Sequence, residues 1–276
     1  MLTVTGLVHS YGSVKALRGF TLEAAEGEIV GLVGHNGAGK TTFANAVAGL
    51  IRPESGTVLV AGRNPRQARH LLGVAPQHIA LYPTVTVMET LRLFGGLNGL
   101  RRKDLAAAID DVTQGLRLES FLDQRVGQLS GGQQRRAQAA VAMLHKPSVL
   151  LLDEPTAGVD PETRQALLDA VRKRAADGAT VVYTTHYLPE LTELDATIAV
   201  ARAGQVIARG TAAELLRDLP GEVRLTLDDD EEIAVTTADP AAELARLLPT
   251  LGRPLRAVDL RQPDLDDLYR AVAHVG

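Results

Sequence analysis

The chain has 276 residues, of which 45% are hydrophobic and 22% charged, a composition typical of a globular protein with one large or two modest domains. It contains no cysteine, which excludes disulfides and thiolate metal sites and favours a reducing compartment. The net charge of −4 offers no broad basic surface, so we expect no nucleic acid partner. No stretch reaches the roughly 18 apolar residues of a membrane span, so any membrane role is expected to act through a partner.

The opening residues predict a strand, because Leu2, Val4 and Val8 alternate with polar neighbours. Tyr11 follows and is predicted to lie in a loop. A tyrosine ring there suits stacking on a flat base, and it suits equally a half-buried loop position. Position alone leaves its role open.

A glycine-rich segment follows the apolar run Ile29–Val33 and fits the pattern G-x-x-x-x-G-K-[ST]. The glycines let successive backbone N–H groups point at phosphate oxygens, and the next helix adds roughly half a positive charge at its start. Lys40 is predicted to reach the β- and γ-phosphates, and the Thr41 hydroxyl to ligate Mg²⁺. The helical pattern after it consists of Phe43, Ala46, Val47 and Leu50. The predicted nucleoside triphosphate site comprises Gly34, His35, Asn36, Gly37, Ala38, Gly39, Lys40, Thr41 and Thr42.

Two short strands are predicted at residues 57–60 and 73–75, and Gln77 lies just beyond the second. Ligands of parallel sheets bind beyond the carboxyl ends of strands, so this amide can reach a metal or a water. An ordinary position in a surface loop is the alternative. Residues 83–128 then change to helical patterning, which predicts a helical insert that continues to about residue 145.

The last helix of this insert follows the sequence Leu129-Ser130-Gly131-Gly132-Gln133. Ser130 can cap the helix, and the two glycines leave its first backbone N–H groups uncovered. These features predict a second anion site in the chain. A plain glycine-rich helix start is the alternative.

A continuously apolar run at residues 149–152 predicts a strand buried on both faces, and it ends in Asp153 and Glu154. Placing two carboxylates at the end of a buried strand costs free energy, and such a pair is expected where metal binding or proton transfer uses it. We therefore predict that Asp153 binds Mg²⁺, directly or through water, and that Glu154 orients and deprotonates the attacking water. His186 follows a further buried strand at residues 180–184. It is predicted either to contact the γ-phosphate or to be a structural or solvent-facing histidine.

The sequence Leu219-Pro220-Gly221 interrupts the chain, and alternating and helical patterns restart after it. We predict a first domain at residues 1–218 and a small α+β domain at residues 222–276. The acidic run at residues 228–232 predicts a solvated hairpin tip, with a Ca²⁺ site as the alternative.

Seven elements in order along the chain resemble the motif set of the ATP-binding cassette (ABC) ATPases. They are Tyr11, residues 34–42, Gln77, Leu129–Gln133, residues 149–154, Ala157–Asp160 and His186. The run Leu-Ser-Gly-Gly-Gln is similar to that family's own signature. The resemblance covers residues 1 to about 218, and it implies an α/β P-loop fold with a mixed sheet core and a helical subdomain at about residues 83–145.

The C-terminal segment, residues 262–269, is similar to the Pro-x-Leu-Glu-Asp-x-Phe ending of drug- and antibiotic-export ATPases of the daunorubicin-resistance type. Asp266 replaces the usual Glu of that ending, and Tyr269 replaces the usual Phe. The resemblance therefore extends to antibiotic resistance and export.

The family resemblance also implies roles for individual residues. It implies that Tyr11 stacks on adenine, that Gln77 contacts Mg²⁺ and relays to a membrane partner, and that His186 is a γ-phosphate switch. Asp160 is implied to lie in the loop between two nucleotide sites. The signature residues are implied to bind ATP from an opposing copy of the chain, and they are Ser130, Gly131, Gly132 and Gln133.

The sequence is thus expected to belong to an ATP-hydrolysing transporter subunit that uses ATP and Mg²⁺, forms a homodimer on ATP binding and drives permease subunits on a separate chain. Its expected place is cytoplasmic, peripheral on the inner face of the cell membrane. A soluble cassette ATPase acting on ribosomes or DNA is the alternative. Translation-type members resemble two linked cassettes and repair-type members carry long coiled coils, whereas this chain has one cassette and no sustained heptads. An inert regulatory cassette requires a damaged motif, and every motif here is intact.

Overall fold

The computed structural model describes residues 1–265, 267–268 and 270. It divides into two compact units, Met1–Arg209 and Gly210–Gly276. The division falls earlier than the expected end of the first domain at residue 218, because a short helix after Gly210 groups with the second unit. Within the described part of the chain, no helix is both long and apolar enough to cross a membrane.

The first unit alternates strands and helices along the chain. Its strands are β1 (Leu2–Tyr11), β2 (Val14–Ala24), β3 (Ile29–Val33), β4 (Ser55–Val60), β5 (Leu72–Ala75), β6 (Val149–Asp153), β7 (Thr180–Thr184), β8 (Thr197–Arg202) and β9 (Gln205–Gly210). Its helices are α1 (Lys40–Val47), α2 (Val87–Leu97), α3 (Arg102–Leu116), α4 (Gly131–Met143), α5 (Pro161–Ala176) and α6 (Pro189–Glu193).

These strands form two sheets. The larger has the order β5-β6-β7-β3-β8-β9, with parallel pairing from β5 through β8, and the smaller is the antiparallel sheet β2-β1-β4. Strands β3, β6 and β7 are buried along their whole length, as expected for parallel strands covered on both faces. Because their carboxyl ends meet at one edge, the residues that follow them come together there.

The predicted helical subdomain is formed by α2, α3 and α4, which pack on one another. Thr86 begins α2 with a capping box, in which its hydroxyl accepts from the Glu89 N–H and the Glu89 carboxylate accepts from the Thr86 N–H. Val87 and Leu91 of α2 are fully buried, as expected for the inward face of a packed helix. The helical insert is therefore confirmed as a packed part of the first unit.

Two local expectations were wrong. Tyr11 is the last residue of β1 and pairs with Val14, the first residue of β2. The ladder between β1 and β2 continues up to a tight turn, so the expected loop at Tyr11 does not form. Leu50 lies beyond the end of α1 and is 74% exposed. The helix stops before it because Gly49 adopts a φ of +69°, a left-handed conformation that glycine takes readily at helix ends.

An ion-pair cluster joins α3 of the helical subdomain to α5. Lys173 Nζ lies 2.6 Å from Asp111 Oδ1, and Arg174 Nη2 lies 2.7 Å from Asp111 Oδ2. Burial by itself raises the pKa of Asp111, but the hydrogen bonds from Lys173 and Arg174 outweigh it and lower that pKa to about 2. Asp111 is therefore ionised in the folded protein at all but very low pH.

We expect Asp111→Asn to lower the free energy of unfolding by about 1–2 kcal/mol at pH 7, because it leaves the buried Arg174 guanidinium without its closest anion. Since the folded-state pKa lies below the ordinary value of about 3.9, this stabilisation is present above pH 4 and disappears as pH falls toward 2. Urea unfolding at pH 7 and at pH 2.5 measures both effects. Asp110→Asn, at an exposed neighbouring position, is the matched control. Equal stabilities of the two variants at pH 7 would contradict the prediction.

The second unit contains helix α7 (Ala212–Leu216), strands β10 (Gly221–Leu227), β11 (Glu232–Thr237) and β12 (Leu255–Arg261), and helix α8 (Pro240–Leu247). Its antiparallel sheet has the order β11-β10-β12, and the alternating apolar residues of β10 form its core. Residues 228–231 of the acidic run form the turn between β10 and β11, and Glu232 begins β11. The described residues contain no group of three or more His, Asp or Glu side chains that could hold a metal. Asp266 and Tyr269, the two replacements in the C-terminal segment at residues 262–269, lie outside the described residues.

Candidate active site

The glycine-rich segment joins the end of β3 to the start of α1, the strand-loop-helix context that the sequence predicts. Gly39, the residue before α1, has a φ of +101°, and a Cβ there would lie 2.9 Å from the Ala16 carbonyl oxygen. Only glycine fits both conditions without a shift of backbone. Lys40 is 8% exposed, and its ammonium donates to the carbonyl oxygens of Gly34 at 2.5 Å and His35 at 3.3 Å. Burial lowers the pKa of Lys40, and the Glu154 and Asp153 carboxylates oppose that shift.

This loop forms one wall of a cavity of about 250 Å³ at the carboxyl edge of the larger sheet. The start of β2 supplies a second wall, through Val14, Lys15 and Ala16. The cavity is completed by Gln77, Asp153 and Glu154. The loop residues that line it are His35, Asn36, Gly37, Ala38, Gly39, Lys40, Thr41 and Thr42. The predicted phosphate loop, amide and two carboxylates therefore line one space.

Asp153 and Glu154 are held in place by Thr184 at the end of β7. The Thr184 hydroxyl donates to Asp153 Oδ1 at 2.5 Å, and the Glu154 N–H donates to the Thr184 carbonyl at 3.1 Å. Glu154 has a φ of +50°, an uncommon conformation for a residue with a side chain. The strand therefore breaks at Glu154.

The Glu154 carboxylate meets two side chains from other strand ends. Gln77 Nε2 donates to Glu154 Oε2 at 2.9 Å, and His186 Nε2 lies 2.5 Å from Glu154 Oε1. Glu154 is 9% exposed, while the His186 side chain is 53% exposed and reaches the carboxylate from solvent. Three residues that are far apart in the sequence thus converge within hydrogen-bond distance.

The signature residues lie at the start of α4 and outside the cavity lining. Ser130 caps α4, since its hydroxyl accepts from the Gln133 N–H at 3.3 Å and its own N–H donates to Gln133 Oε1 at 2.9 Å. A Cβ on Gly132 would lie 3.3 Å from Asp160 Oδ2, so this helix start adjoins the N-terminus of α5. Gly131 has open space around it. Within one chain the signature residues and the phosphate loop form two separate surfaces.

Tyr11 and Asp160 also lie outside the cavity lining. The Tyr11 ring is half exposed and packs edge-on against His9, with ring centroids 4.8 Å apart. Its strand partner Val14 does line the cavity, so the ring stands at the cavity's margin. Asp160 caps α5, with its Oδ1 accepting from the Thr163 N–H at 2.8 Å, and this bond lowers the pKa of Asp160.

Sequence reasoning missed residues that hold the Gln77 loop and the two carboxylates. Gln138, buried in the middle of α4, donates to the Pro76 carbonyl at 2.6 Å and accepts from the Ala80 N–H at 2.7 Å. Arg135, one turn earlier, donates to the Gln77 carbonyl. Burial lowers the pKa of Arg135, and the charges of Glu154 and Asp153 oppose that shift. No local sequence signal marks these two residues, because their contacts join parts of the chain that are 62 and 58 residues apart.

The comparison with known proteins agrees with this geometry. A family model described as ABC transporter matches residues 17–157, a span that includes the phosphate loop, the signature residues and both carboxylates. The chain belongs to the ABC transporter family. It is an ABC-type ATP-binding protein, and members of this family hydrolyse ATP.

Similar ABC ATP-binding proteins include resistance and export proteins. The chain is 34% identical to the linearmycin resistance ATP-binding protein LnrL of Bacillus subtilis (strain 168), over 82% of this chain and 74% of that protein. It is 34% identical to a daunorubicin resistance ATP-binding protein of Streptomyces coeruleorubidus, over 97% of this chain and 94% of that protein. It is 38% identical to a Nod factor export ATP-binding protein of Paraburkholderia xenovorans (strain LB400), over 75% of this chain and 69% of that protein. The resemblance to drug-export ABC ATPases is therefore confirmed.

Solved ABC structures share the fold. An ATP-binding subunit of an ABC transporter superposes with a TM-score of 0.77 and 26% identity, covering 99% of each chain. A dimeric bacterial ABC transporter cassette superposes with a TM-score of 0.71 and 25% identity, covering 76% of this chain and 98% of that one. The predicted ABC ATPase fold is confirmed.

Proposed function

We propose that this chain is the ATP-hydrolysing subunit of an ABC exporter and drives permease subunits carried on a separate chain. The observation that carries the proposal is the convergence of Gln77 and His186 on Glu154 beside a phosphate loop that contains Lys40. That arrangement combines cations and N–H groups for phosphate with a carboxylate for proton transfer. A cassette that does not hydrolyse ATP would not need phosphate-binding groups and a proton-accepting carboxylate together.

The residues of the cavity fit Mg²⁺ as the metal. Thr41 supplies a hydroxyl, Asp153 a carboxylate and Gln77 a side-chain carbonyl, and all three line the same cavity. Oxygen ligands of this kind suit Mg²⁺, which keeps several of its waters. When bound, the ion neutralises charge on the β- and γ-phosphates. Asp153 is 9% exposed, and the hydrogen bond from Thr184 keeps its carboxylate oriented.

The remaining groups act on the nucleotide and the attacking water. Lys40 donates to the β- and γ-phosphates in place of its present bonds to Gly34 and His35, because phosphate oxygens carry more negative charge than carbonyl oxygens. Glu154 accepts the proton of the attacking water, and His186 donates to the γ-phosphate. Tyr11, at the margin of the cavity, stacks on the adenine ring.

A second copy of the chain completes the site. Ser130, Gly131, Gly132 and Gln133 lie outside the cavity of their own chain, so they bind the γ-phosphate of an opposing copy. Asp160, which adjoins Gly132, lies between the two nucleotides. An isologous pair builds two complete sites from identical chains.

The proposal that the transporter exports its cargo is based on the names of the similar proteins. Two of the similar proteins are named for resistance to linearmycin and daunorubicin and one for export of Nod factor, so we propose a drug-like or lipophilic cargo. We assign nucleotide binding to residues 1–218 and an accessory role to residues 222–276. The protein then works in the cytoplasm, as a peripheral protein on the inner face of the cell membrane.

Affinity purification of the tagged chain from native membranes tests the proposal. We expect a protein with about six apolar spans to co-purify in detergent, because an ATPase subunit remains bound to its permease. The Glu154→Gln variant in the presence of ATP should recover the same partner. Recovery of ribosomes or DNA-repair proteins without a membrane protein would contradict an exporter and favour the soluble alternative.

A further inference from the structure

Glu190 is a buried carboxylate to which the proposed chemistry assigns no role. It lies in the first turn of α6 and is 1% exposed. Its Oε2 accepts hydrogen bonds from the hydroxyls of Thr156, Tyr183 and Thr185, each at 2.9 Å. Burial of a carboxylate costs free energy unless hydrogen-bond partners compensate it, and three hydroxyl donors on one oxygen show that this carboxylate organises its surroundings.

The three donors belong to the segments that carry Glu154 and His186. Thr156 lies two residues after Glu154, and Thr185 immediately precedes His186. Tyr183 lies in β7. Burial and, to a smaller extent, the nearby Glu190 carboxylate raise the pKa of its hydroxyl, which therefore keeps its proton and donates a hydrogen bond. The Glu190 carboxylate thus binds the segment that carries Glu154 and the segment that carries His186, whose side chains are 2.5 Å apart.

Arg164 of α5 binds the other side of the same group. Its Nε lies 3.3 Å from Glu190 Oε1, and its guanidinium lies over the Tyr187 ring, 4.7 Å from the centroid. The Tyr187 N–H also donates to the Thr185 hydroxyl at 2.9 Å. Both chain neighbours of His186 are therefore held, one by Glu190 and one by Arg164.

We propose that Glu190 is a positioning residue that holds the His186 segment against Glu154 and thereby sets the rate of ATP hydrolysis. It acts through Thr156 and Thr185, and it does not line the nucleotide cavity. The inference rests on the proposed roles of Glu154 and His186. Arg164 compensates the buried charge, and it links the arrangement to α5, the helix that Asp160 caps.

The variant Glu190→Gln tests this role with little change of shape. An amide has one acceptor oxygen. If its NH₂ group faces the hydroxyls, the three O–H donors lose their common acceptor, and if it faces the Arg164 guanidinium, two donor groups meet without an acceptor. The contact between His186 and Glu154 should loosen. The phosphate loop should not change, because none of the groups bound by Glu190 belongs to it.

The experiment measures steady-state ATP hydrolysis and thermal unfolding of the full-length chain. We expect Glu190→Gln to lower kcat at least tenfold, with KM for ATP within twofold of the wild-type value. The matched control is Glu193→Gln, on the same helix but paired with Arg172 at the surface, and it should leave both constants unchanged. Separate effects on kcat and KM distinguish positioning from a general loss of structure.

A kcat within twofold of wild type would overturn the inference, and so would a parallel change in kcat and KM that follows a lower unfolding temperature. If Glu190→Gln does not fold, Thr185→Val decides, because it removes one donor and keeps the side-chain shape. It should lower kcat at least threefold at constant KM, and an unchanged kcat would overturn the inference. A wild-type chain without ATPase activity would instead refute the proposed function.

Discussion

Glu154→Gln is expected to bind ATP with the wild-type affinity and to lose hydrolysis by about 10²–10⁴-fold, the usual contribution of a positioned general base. The substitution keeps the size of the side chain and one acceptor oxygen for the Gln77 amide. It removes the negative charge and the basic oxygen that, in the proposed mechanism, accept the proton of water. Binding is expected to persist because the proposed phosphate site is the loop at residues 34–42, of which residues 35–42 line the cavity, and the substitution does not alter it.

Phosphate release at saturating ATP measures the turnover of this variant, and an equilibrium titration with labelled ATP measures its affinity. Glu119→Gln, at an exposed position away from the cavity, is the control for loss of one carboxylate. A Glu154→Gln protein that hydrolyses ATP at the wild-type rate would show that another group accepts the proton.

Lys40→Ala is expected to weaken ATP binding by about 2–5 kcal/mol, or at least about 30-fold in Kd, because it removes a buried cation from the phosphate site. Lys40 is 8% exposed and its ammonium is bonded to the loop itself, so no neighbouring side chain takes its place without rearrangement. Hydrolysis should fall with binding, whereas Glu154→Gln separates the two. This contrast distinguishes a phosphate ligand from a proton acceptor.

The same ATP titration measures the effect, with Lys103→Ala as a control for loss of one exposed lysine. Circular dichroism and thermal unfolding establish that Lys40→Ala is folded. If a folded Lys40→Ala protein bound ATP within twofold of the wild-type affinity, the loop at residues 34–42 would not be the main phosphate site.

The phosphate loop and the carboxylates could be predicted because their signals are local. The apolar run that ends in Asp153 and Glu154 requires burial on both faces, and the structure buries all of β6. The loop between β3 and α1 needs glycine for its backbone conformation, which a sequence pattern records directly. The positions of Gln77 and His186 just after strands left their roles open, and the family resemblance selected them. The structure brings both to Glu154.

The supporting residues could not be predicted, because their contacts join distant parts of the chain. Thr184 contacts Asp153 across 31 residues, and Gln138 contacts Pro76 across 62. Nothing local distinguishes Glu190 from other glutamates near a helix start until three hydroxyls are seen to converge on it. The end of β1 was missed for a related reason, since only pairing with β2 extends that strand to Tyr11.

We propose that ATP drives dimerisation, because one chain places its signature residues outside its own cavity. Static light scattering of Glu154→Gln tests it directly. With ATP the variant should scatter as twice 29.3 kDa and with ADP as 29.3 kDa, since only ATP supplies the γ-phosphate that we propose the opposing Ser130 segment binds. Adding Ser130→Arg should abolish the dimer, whereas adding Ser120→Arg, at an exposed position, should not. A mass of 29.3 kDa for Glu154→Gln at saturating ATP would contradict the account.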